Sequence, residues 1–196
     1  MDRRGHLSYL KRIMATTETV VLGGGCFWCL EAVYQQMEGV VSVESGYMGG
    51  QTPDPTYHDV CTGQSGHAEV VRVTFDPEIA SYKEMLEVFF SIHDPTTRNR
   101  QGNDAGTQYR SAIFYNSEEQ RLTAEQVIRE LEAERIWKDP IVTELTAAST
   151  FYRAEDYHQD YFKNNPRQPY CSYIVAPKVK KFREKFQTKL RRGASS

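Results

Sequence analysis

Residues 23–31 of the chain read Gly23-Gly24-Gly25-Cys26-Phe27-Trp28-Cys29-Leu30-Glu31. Residues 19–22 before this stretch, Thr-Val-Val-Leu, indicate a buried strand, and apolar positions within and after it recur at helical spacing. These positions are Phe27, Leu30, Val33, Tyr34 and Met37. Because consecutive glycines let backbone segments approach closely, the pattern predicts a strand that turns through glycines into a helix, with Cys26 at the turn.

Cys26 is the first candidate for chemistry. The first turn of a helix has free backbone N–H groups, and its dipole favours negative charge, so a thiol there is expected to have a lowered pKa. We therefore predict that Cys26 is a reactive nucleophile, with Phe27 and Trp28 beside it as walls of a substrate pocket. A buried, inert cysteine is the alternative.

Composition narrows the class of protein. The chain has 196 residues, of which 39% are hydrophobic and 26% charged, as expected of one soluble globular domain. A net charge of −2 gives no general attraction to nucleic acid or to a membrane, and no apolar run approaches the ~18 residues of a membrane span. Four cysteines without a secretion signal predict a reducing compartment, the cytoplasm, and a use in catalysis or metal binding.

The N-terminal and C-terminal segments differ from the middle of the chain in expected order and in charge. We expect residues 1–17 to be a disordered N-terminal extension, with Met14 as a possible internal start, and residues 18–196 to form a single catalytic domain. Residues 178–192 carry eight Lys or Arg and one acid, so the predicted helix 177–192 is basic. Its basic face is expected to meet solvent, the acidic body or a partner. We expect a monomer.

The order of predicted elements indicates an α+β fold. Alternating patterns predict strands at residues 68–75, 109–115 and 141–147, with a further strand at 40–43. Helices are predicted after capping boxes at Ser81 and Ser117, over 154–162 and from Pro177, and residues 56–66, 94–107 and 164–169 look irregular. The result is a two-layer sandwich with a mixed β-sheet, a ferredoxin-like core, a long irregular C-terminal segment and a terminal helix.

Cys29 and Cys61 allow two interpretations. Cys26 and Cys29 lie three residues apart, so their sulfurs share a helix face and could form a disulfide, although a helical pair must distort to do so. Together with His58 and Cys61 they also have the spacing of a four-ligand zinc site. Cys61 is alternatively a small buried hydrophobe.

Further candidates lie in three polar stretches. Glu69 enters a strand on the same face as Val71 and Val73, so burial should raise its pKa and make it a proton donor near neutral pH; an exposed glutamate is the alternative. Tyr57 and Tyr109, the latter predicted to begin a strand, can offer hydroxyl groups. Asp104 lies between glycines that hold its backbone, and its alternative role is an ion pair with Arg110.

Two stretches near the C-terminus have weaker arguments. Residues 154–159, Ala-Glu-Asp-Tyr-His-Gln, favour a structural network. Cys171 lies on a Pro-flanked segment that is expected to swing, as a resolving thiol must, or is a spare tail cysteine.

Four motifs in this order resemble the A-type peptide methionine sulfoxide reductases. They are Gly25-Cys26-Phe27-Trp28, Gly66-His67-Ala68-Glu69, Gly102-Asn103-Asp104 with residues 106–111, and residues 154–159. The resemblance covers about residues 20–171 and implies reduction of methionine S-sulfoxide, free or in proteins, as repair of oxidative damage.

The resemblance also implies a role for each matching residue. Cys26 would attack sulfur, Glu69 would supply the proton, and Asp104 would support the site. Tyr57 and Tyr109 match the pair that hydrogen-bonds the sulfoxide oxygen, while Phe27 and Trp28 match the cage of the methyl group. A Cys26 sulfenic acid would condense with a second thiol, and thioredoxin would restore the enzyme without metal or organic cofactor.

This chain departs from the family at its other cysteines. Many members have glycine where Cys29 stands, and several have two tail cysteines where this chain has only Cys171. Cys171 matches the family's resolving position, and Cys29 is the alternative. A zinc-binding module and a redox sensor without turnover are the competing functions.

Overall fold

The computed structural model describes residues 16–193 and forms one main β-sheet with helices. The strands are β1 (Glu18–Gly23), β2 (Val40–Met48), β3 (Ala68–Phe75), β4 (Arg100–Gln101), β5 (Asp104–Ala105), β6 (Ala112–Tyr115), β7 (Glu144–Ala147) and β8 (Tyr152–Arg153). The α-helices are α1 (Phe27–Tyr34), α2 (Tyr57–Cys61), α3 (Tyr82–Ile92), α4 (Glu118–Ala133), α5 (Tyr161–Asn164) and α6 (Ala176–Lys185).

The main sheet has the strand order β7-β6-β1-β3-β2-β8. Strand β1 lies between β3 and β6 and is antiparallel to both, and only β7 pairs in parallel, with β6. The inner strands β6-β1-β3-β2 and the helices α1 and α3 that connect them form a βαββαβ unit. The predicted α+β class, mixed sheet and ferredoxin-like core are therefore confirmed.

The core lies mainly between the sheet and the helices. Alternation along β1 directs Val20 and Leu22 toward the helices, where they meet the fully buried Val73. Val21 points to the opposite face and belongs to a smaller apolar cluster with Phe114. The two faces explain why β1 is apolar at successive positions, unlike a strand with one face in water.

Several predicted elements have other boundaries. The predicted strand 109–115 begins only at Ala112, because Thr107–Tyr109 forms a 3₁₀ turn. The stretch 56–66 is not irregular, since Thr56 and Asp59 form a capping box that starts α2. The predicted helix 154–162 is divided into the 3₁₀ turn Asp156–His158 and α5, because Gln159 is extended and Asp160 is left-handed.

The C-terminal segment differs most from its prediction. Cys171–Val175 forms a π-helical turn that runs directly into α6, so Cys171 lies in a helix and not on a swinging tail. The predicted basic helix 177–192 ends at Lys185, and Gln187–Lys189 forms a 3₁₀ turn. Cys171 and Val175 are both fully buried, and this burial holds the segment in place.

The basic residues after α6 lie on the body of the protein. Leu190 pairs with Met37 in an isolated β-bridge, and the Arg191 N–H donates to the Gln36 carbonyl oxygen at 2.8 Å. Lys189 forms an ion pair with Glu84. Part of the basic C-terminal segment is thus used within the chain.

The N-terminal prediction falls largely on residues outside the description. Residues 16 and 17 precede β1 without helix or strand, whereas the rest of the predicted extension, including Met14, lies outside residues 16–193. Among the described helices, none is both long and apolar enough to cross a bilayer.

Gly50 holds the start of β3 in place. Its N–H donates to His67 Nδ1 at 2.9 Å, and His67 Nε2 lies 2.7 Å from the Thr52 carbonyl oxygen. A Cβ atom at Gly50 would lie 2.3 Å from both the backbone nitrogen of His67 and the Ser65 carbonyl oxygen. His67 is accordingly a structural histidine one residue before Ala68, where β3 begins.

The Gly50→Ala variant is expected to lose about 1–3 kcal/mol of unfolding free energy, because backbone atoms must move to admit the methyl group. Urea denaturation measures the loss. Gly102→Asn is the control, since Gly102 has φ +58°, which asparagine tolerates, and no atom lies within 4 Å of a Cβ there. Equal stability of the Gly50 variant and the wild type would contradict the expectation.

Candidate active site

Cys26 lies where β1 turns into α1, as the sequence predicts. Gly25 has φ +90°, and a Cβ there would lie 2.6 Å from Gln101 Cγ, so both conformation and space require glycine. Cys26 is the N-cap residue with φ −64° and ψ 127°, and the helix begins at Phe27. The nucleophile candidate therefore stands just outside the helix that follows it.

The electrostatics of Cys26 differ from the sequence-based prediction. Its side chain is 7% exposed, and burial, followed by a hydrogen bond to Cys29 and the charge of Glu69, raises the pKa of the Cys26 thiol. The backbone N–H of Trp28 acts in the opposite direction but is the weakest influence. The prediction of a lowered pKa is wrong for this state, because burial outweighs the helix terminus.

The second thiol of the pair, Cys29, is in contact with the first. The interaction between the two thiols raises the pKa of Cys26, and it lowers the pKa of Cys29 against the effect of burial. Since Cys26 is extended and not helical, the distortion expected of a helical cysteine pair does not apply.

Cys171 lies behind Cys29 and is fully buried. Burial, together with the negative charge of a Cys29 thiolate, raises the pKa of Cys171, so the two sulfurs are within electrostatic range. Three of the four cysteines therefore gather here, while Cys61 is exposed at the end of α2.

Glu69 occupies the position that strand alternation predicts. It lies on β3 on the same face as Val71 and Val73, is 2% exposed, and its Oε2 atom has no hydrogen-bond partner within residues 16–193. Burial, and then the charges of Asp104 and Cys29, raise the pKa of Glu69 well above its usual range. The raised pKa favours the protonated carboxyl group, which can donate a proton.

Tyr57 and Tyr109 approach the same carboxyl group from different elements. Burial is the main cause that raises the pKa of each phenol. The second cause is the interaction with Cys61 for Tyr57 and the charge of Glu69 for Tyr109. Cys26 and Glu69 both influence Tyr109, which places it near the nucleophile even though it lies in a 3₁₀ turn. Both hydroxyl groups therefore stay protonated and can donate hydrogen bonds.

Asp104 is held in a small hairpin. Strand β5 pairs with β4, and the turn between them contains Gly102 and Asn103. Tyr170 Oη donates to Asp104 Oδ2 at 2.5 Å, which ties the start of the Cys171 helix to the site. Arg110 pairs with Glu144 at 2.9 Å, so the predicted Arg110–Asp104 alternative is not formed.

Aromatic rings surround the first turn of α1. Phe27 is fully buried and lies 5.0 Å from the His158 ring centroid, whereas Trp28 is half-buried. The Tyr161 ring stacks on Trp28 at 3.7 Å between centroids with an interplanar angle of 5°, and Tyr170 meets Trp28 edge-on at 5.8 Å. These rings provide the apolar wall that the sequence predicts from Phe27 and Trp28 alone.

Residues 154–159 form the structural network that the sequence favours. Glu155 accepts hydrogen bonds from Tyr47 Oη at 2.9 Å and from the Tyr57 N–H at 3.0 Å, so it places α2 beside the site. Trp28 Nε1 donates to His158 Nδ1 at 3.1 Å. Sequence reasoning missed Glu155, His158, Tyr161 and Tyr170 as site residues, although the motif around residues 154–159 pointed to two of them.

The zinc interpretation has no support in the geometry. Within residues 16–193, no group of three or more His, Cys, Asp or Glu side chains is arranged to hold a metal ion. Cys61 lies beside the Tyr57 hydroxyl group, which donates a hydrogen bond to its sulfur. The residues at the predicted zinc spacing therefore do not converge.

Comparison with known proteins decides the family. The family model described as "Peptide methionine sulfoxide reductase" matches residues 18–190. The chain belongs to the A-type peptide methionine sulfoxide reductase family. It is an oxidoreductase that reduces methionine sulfoxide.

Comparison with individual proteins gives the same family. The chain is 59% identical over 174 residues to peptide methionine sulfoxide reductase MsrA of Saccharolobus solfataricus, covering 89% of this chain and 97% of that one. It resembles the crystal structure of reduced Mxr1 from Saccharomyces cerevisiae with a TM-score of 0.75 and 35% identity, over 81% of this chain and 91% of that chain. Mxr1 in complex with Trx2 has a TM-score of 0.54 and 26% identity, over 76% and 86%.

The Glu69→Gln variant of the reductase is expected to be more stable than the wild type at neutral and alkaline pH. The carboxyl group ionises near pH 4.3 in the unfolded chain, but its folded pKa is raised, so folding stability falls as the pH rises from about 4.3 toward the folded value. Glutamine cannot ionise and avoids this loss.

Thermal denaturation of both proteins between pH 4 and pH 8 measures the difference. The advantage of the glutamine variant should grow with pH, whereas Glu87→Gln, at an exposed position of α3, should show no such trend. A pH-independent difference at Glu69 would contradict a raised pKa.

Proposed function

We propose that this reductase acts on the S epimer of methionine sulfoxide, free or in proteins, and so repairs oxidative damage. The proposal depends chiefly on one observation: the buried, unpartnered carboxyl group of Glu69 lies within electrostatic range of Cys26, Tyr57 and Tyr109. A nucleophile, a proton source and two hydroxyl donors therefore surround one small region.

In the first step, the Cys26 thiolate sulfur attacks the sulfoxide sulfur and forms an S–S bond, while the S–O bond breaks and the protonated oxygen leaves. The oxygen then bonds to the Cys26 sulfur as the S–S bond breaks, so Cys26 becomes a sulfenic acid and the substrate sulfur keeps the electron pair as the thioether of methionine. The oxygen needs protons as negative charge develops on it, and the protonated carboxyl group of Glu69 supplies one. The thiol proton of Cys26 must leave as its sulfur attacks, and the proposed acceptor is a Cys29 thiolate, since the interaction with Cys26 lowers the pKa of Cys29.

Tyr57 and Tyr109 stabilise the oxygen during this step. Their raised pKa values keep them neutral, owing first to burial, so they donate hydrogen bonds without adding charge. Asp104 supports the site through its influence on Glu69 and its bond from Tyr170. Phe27 and Trp28 enclose the methyl group on sulfur.

In the second step, a neighbouring thiol condenses with the sulfenic acid, which forms an intramolecular disulfide and releases water. Cys29 lies near enough to Cys26 to influence its pKa, whereas Cys171 is fully buried in the π-helical turn before α6. Cys171 remains our proposed resolving thiol, with Cys29 as the alternative.

A dithiol protein then reduces the disulfide by exchange, and we propose thioredoxin for this role. The support is the structure of the yeast relative Mxr1 in complex with Trx2. Each cycle oxidises one dithiol of the reductant and reduces one sulfoxide, so electrons balance without a bound cofactor.

Substitution of single cysteines tests the thiol roles. Cys26→Ser should form no methionine. Cys171→Ser should form one equivalent and turn over with dithiothreitol, but it should lose nearly all turnover with thioredoxin. Reduction of a dabsylated methionine S-sulfoxide, followed by disulfide mapping, measures each outcome.

Ser172→Ala is the matched control, because Ser172 is exposed directly beside Cys171. Full thioredoxin-linked turnover by Cys171→Ser would transfer the resolving role to Cys29. Near wild-type activity of Cys26→Ser would refute the proposed function itself.

The proton donor gives a second test, in single-turnover experiments. Glu69→Gln should slow the first step about 10²- to 10⁴-fold, and Tyr57→Phe or Tyr109→Phe about 10- to 100-fold. The wild-type rate should fall at alkaline pH as Glu69 loses its proton, because its folded pKa is raised. If the rate of Glu69→Gln fell in the same way at alkaline pH, the decline would come from the titration of another group.

A further inference from the structure

Glu31 ends the sequence stretch that contains the nucleophile, yet the proposed mechanism does not use it. It lies on α1 one turn after Trp28 and is 1% exposed. Its Oε1 atom accepts a hydrogen bond from the Asp160 N–H at 3.0 Å, and the neighbouring Tyr161 amide also lowers the pKa of the carboxyl group. A buried carboxylate thus binds the backbone of a segment 129 residues away.

The segment that Glu31 binds has an unfavourable backbone conformation. Asp160 has φ +55° and ψ 30°, a left-handed conformation that residues other than glycine rarely adopt. Gln35, the C-cap residue directly after α1, donates from Nε2 to Asp160 Oδ1 at 2.6 Å. One side chain of α1 and one of its C-cap residue therefore bind this turn.

The residue after the turn, Tyr161, reaches the active site. Its ring stacks on Trp28 at 3.7 Å, nearly parallel. Trp28 and Glu31 are three residues apart and share one face of α1, so the turn spans both. The left-handed turn at Asp160 directs the Tyr161 ring back over the indole.

We propose that Glu31 is a positioning residue: it holds the Asp160 turn so that Tyr161 covers Trp28 and fixes the wall of the methyl pocket. This proposal rests on the proposed function, since the methyl pocket is part of the proposed substrate site. Glu31 itself touches no reacting atom.

A purely stabilising role explains the carboxyl group poorly. Burial raises the pKa of Glu31 to about 7, so burying this group is costly, and no cation pairs with it among residues 16–193. An apolar side chain at this position would avoid that cost but would leave the Asp160 amide without its acceptor. The acceptor geometry is thus the feature that requires an acid here.

The test uses tryptophan fluorescence and substrate kinetics together. The chain has two tryptophans, so Trp137→Phe leaves Trp28 as the only tryptophan, and its emission can be followed alone. In this background, Glu31→Ala should shift the Trp28 emission to the red and increase its quenching by acrylamide. It should also raise KM for a methyl sulfoxide about fivefold, as loss of one aromatic stack implies, while the saturating single-turnover rate changes less than about twofold.

Four further variants complete the experiment. Glu31→Gln keeps one acceptor oxygen and should restore most of the emission and of KM, and Glu87→Ala on α3 should change neither. Tyr161→Leu should reproduce the effects of Glu31→Ala, and the double variant should raise KM no further, because both act through the same stack.

Several results would overturn the proposal. They are unchanged Trp28 emission in Glu31→Ala, equal losses in Glu31→Ala and Glu31→Gln, and additive KM effects with Tyr161→Leu. If Glu31→Ala does not fold, Glu31→Gln with Tyr161→Leu still tests the coupling. The emission measurements need no turnover, so they remain informative even if the proposed reaction fails.

Discussion

The buried carboxyl group of Glu69 on β3 is the feature on which the proposed site depends. Exclusion of water favours the protonated form of a carboxyl group, and here the sheet core provides that exclusion, so the pKa of Glu69 is raised. Gly50 and His67 hold the chain just before β3, so the depth of Glu69 is set by backbone contacts too tight for any side chain at residue 50. The raised pKa that suits the proposed proton donor also lowers the stability of the fold as the pH rises.

Helix α1 connects the chemistry with the C-terminal half of the chain. Its N-cap residue is Cys26, its first turn carries Trp28 and Cys29, and Glu31 and the C-cap residue Gln35 bind the Asp160 turn. Glu155 makes the reciprocal connection by holding the Tyr57 N–H and the Tyr47 hydroxyl group. The polar motif at residues 154–159 is therefore a scaffold that brings α2 and the aromatic wall to the nucleophile.

The thiols show how burial overrides local electrostatics. A helix N-terminus favours a thiolate, but loss of solvent raises the pKa of Cys26 more than the Trp28 amide lowers it. The interaction with Cys26 instead lowers the pKa of Cys29, the second thiol of the pair. Cys171 is similarly constrained, because the π-helical turn that carries it is packed in the core and tied to Asp104 through Tyr170.

The sequence by itself determined the strand–glycine–helix junction at Cys26, the face of β3 that carries Glu69, the α+β class and the family, because each depends on local periodicity or on a motif. Tertiary structure alone decided the rest. Strand alternation could not reveal that Tyr109 lies in a 3₁₀ turn, or that Cys171 is locked in a helix, since both follow from packing against distant segments. The pKa of Cys26 and the partners of Glu31 and Glu155 were likewise hidden, because burial and contacts across more than 90 residues have no local pattern in the chain.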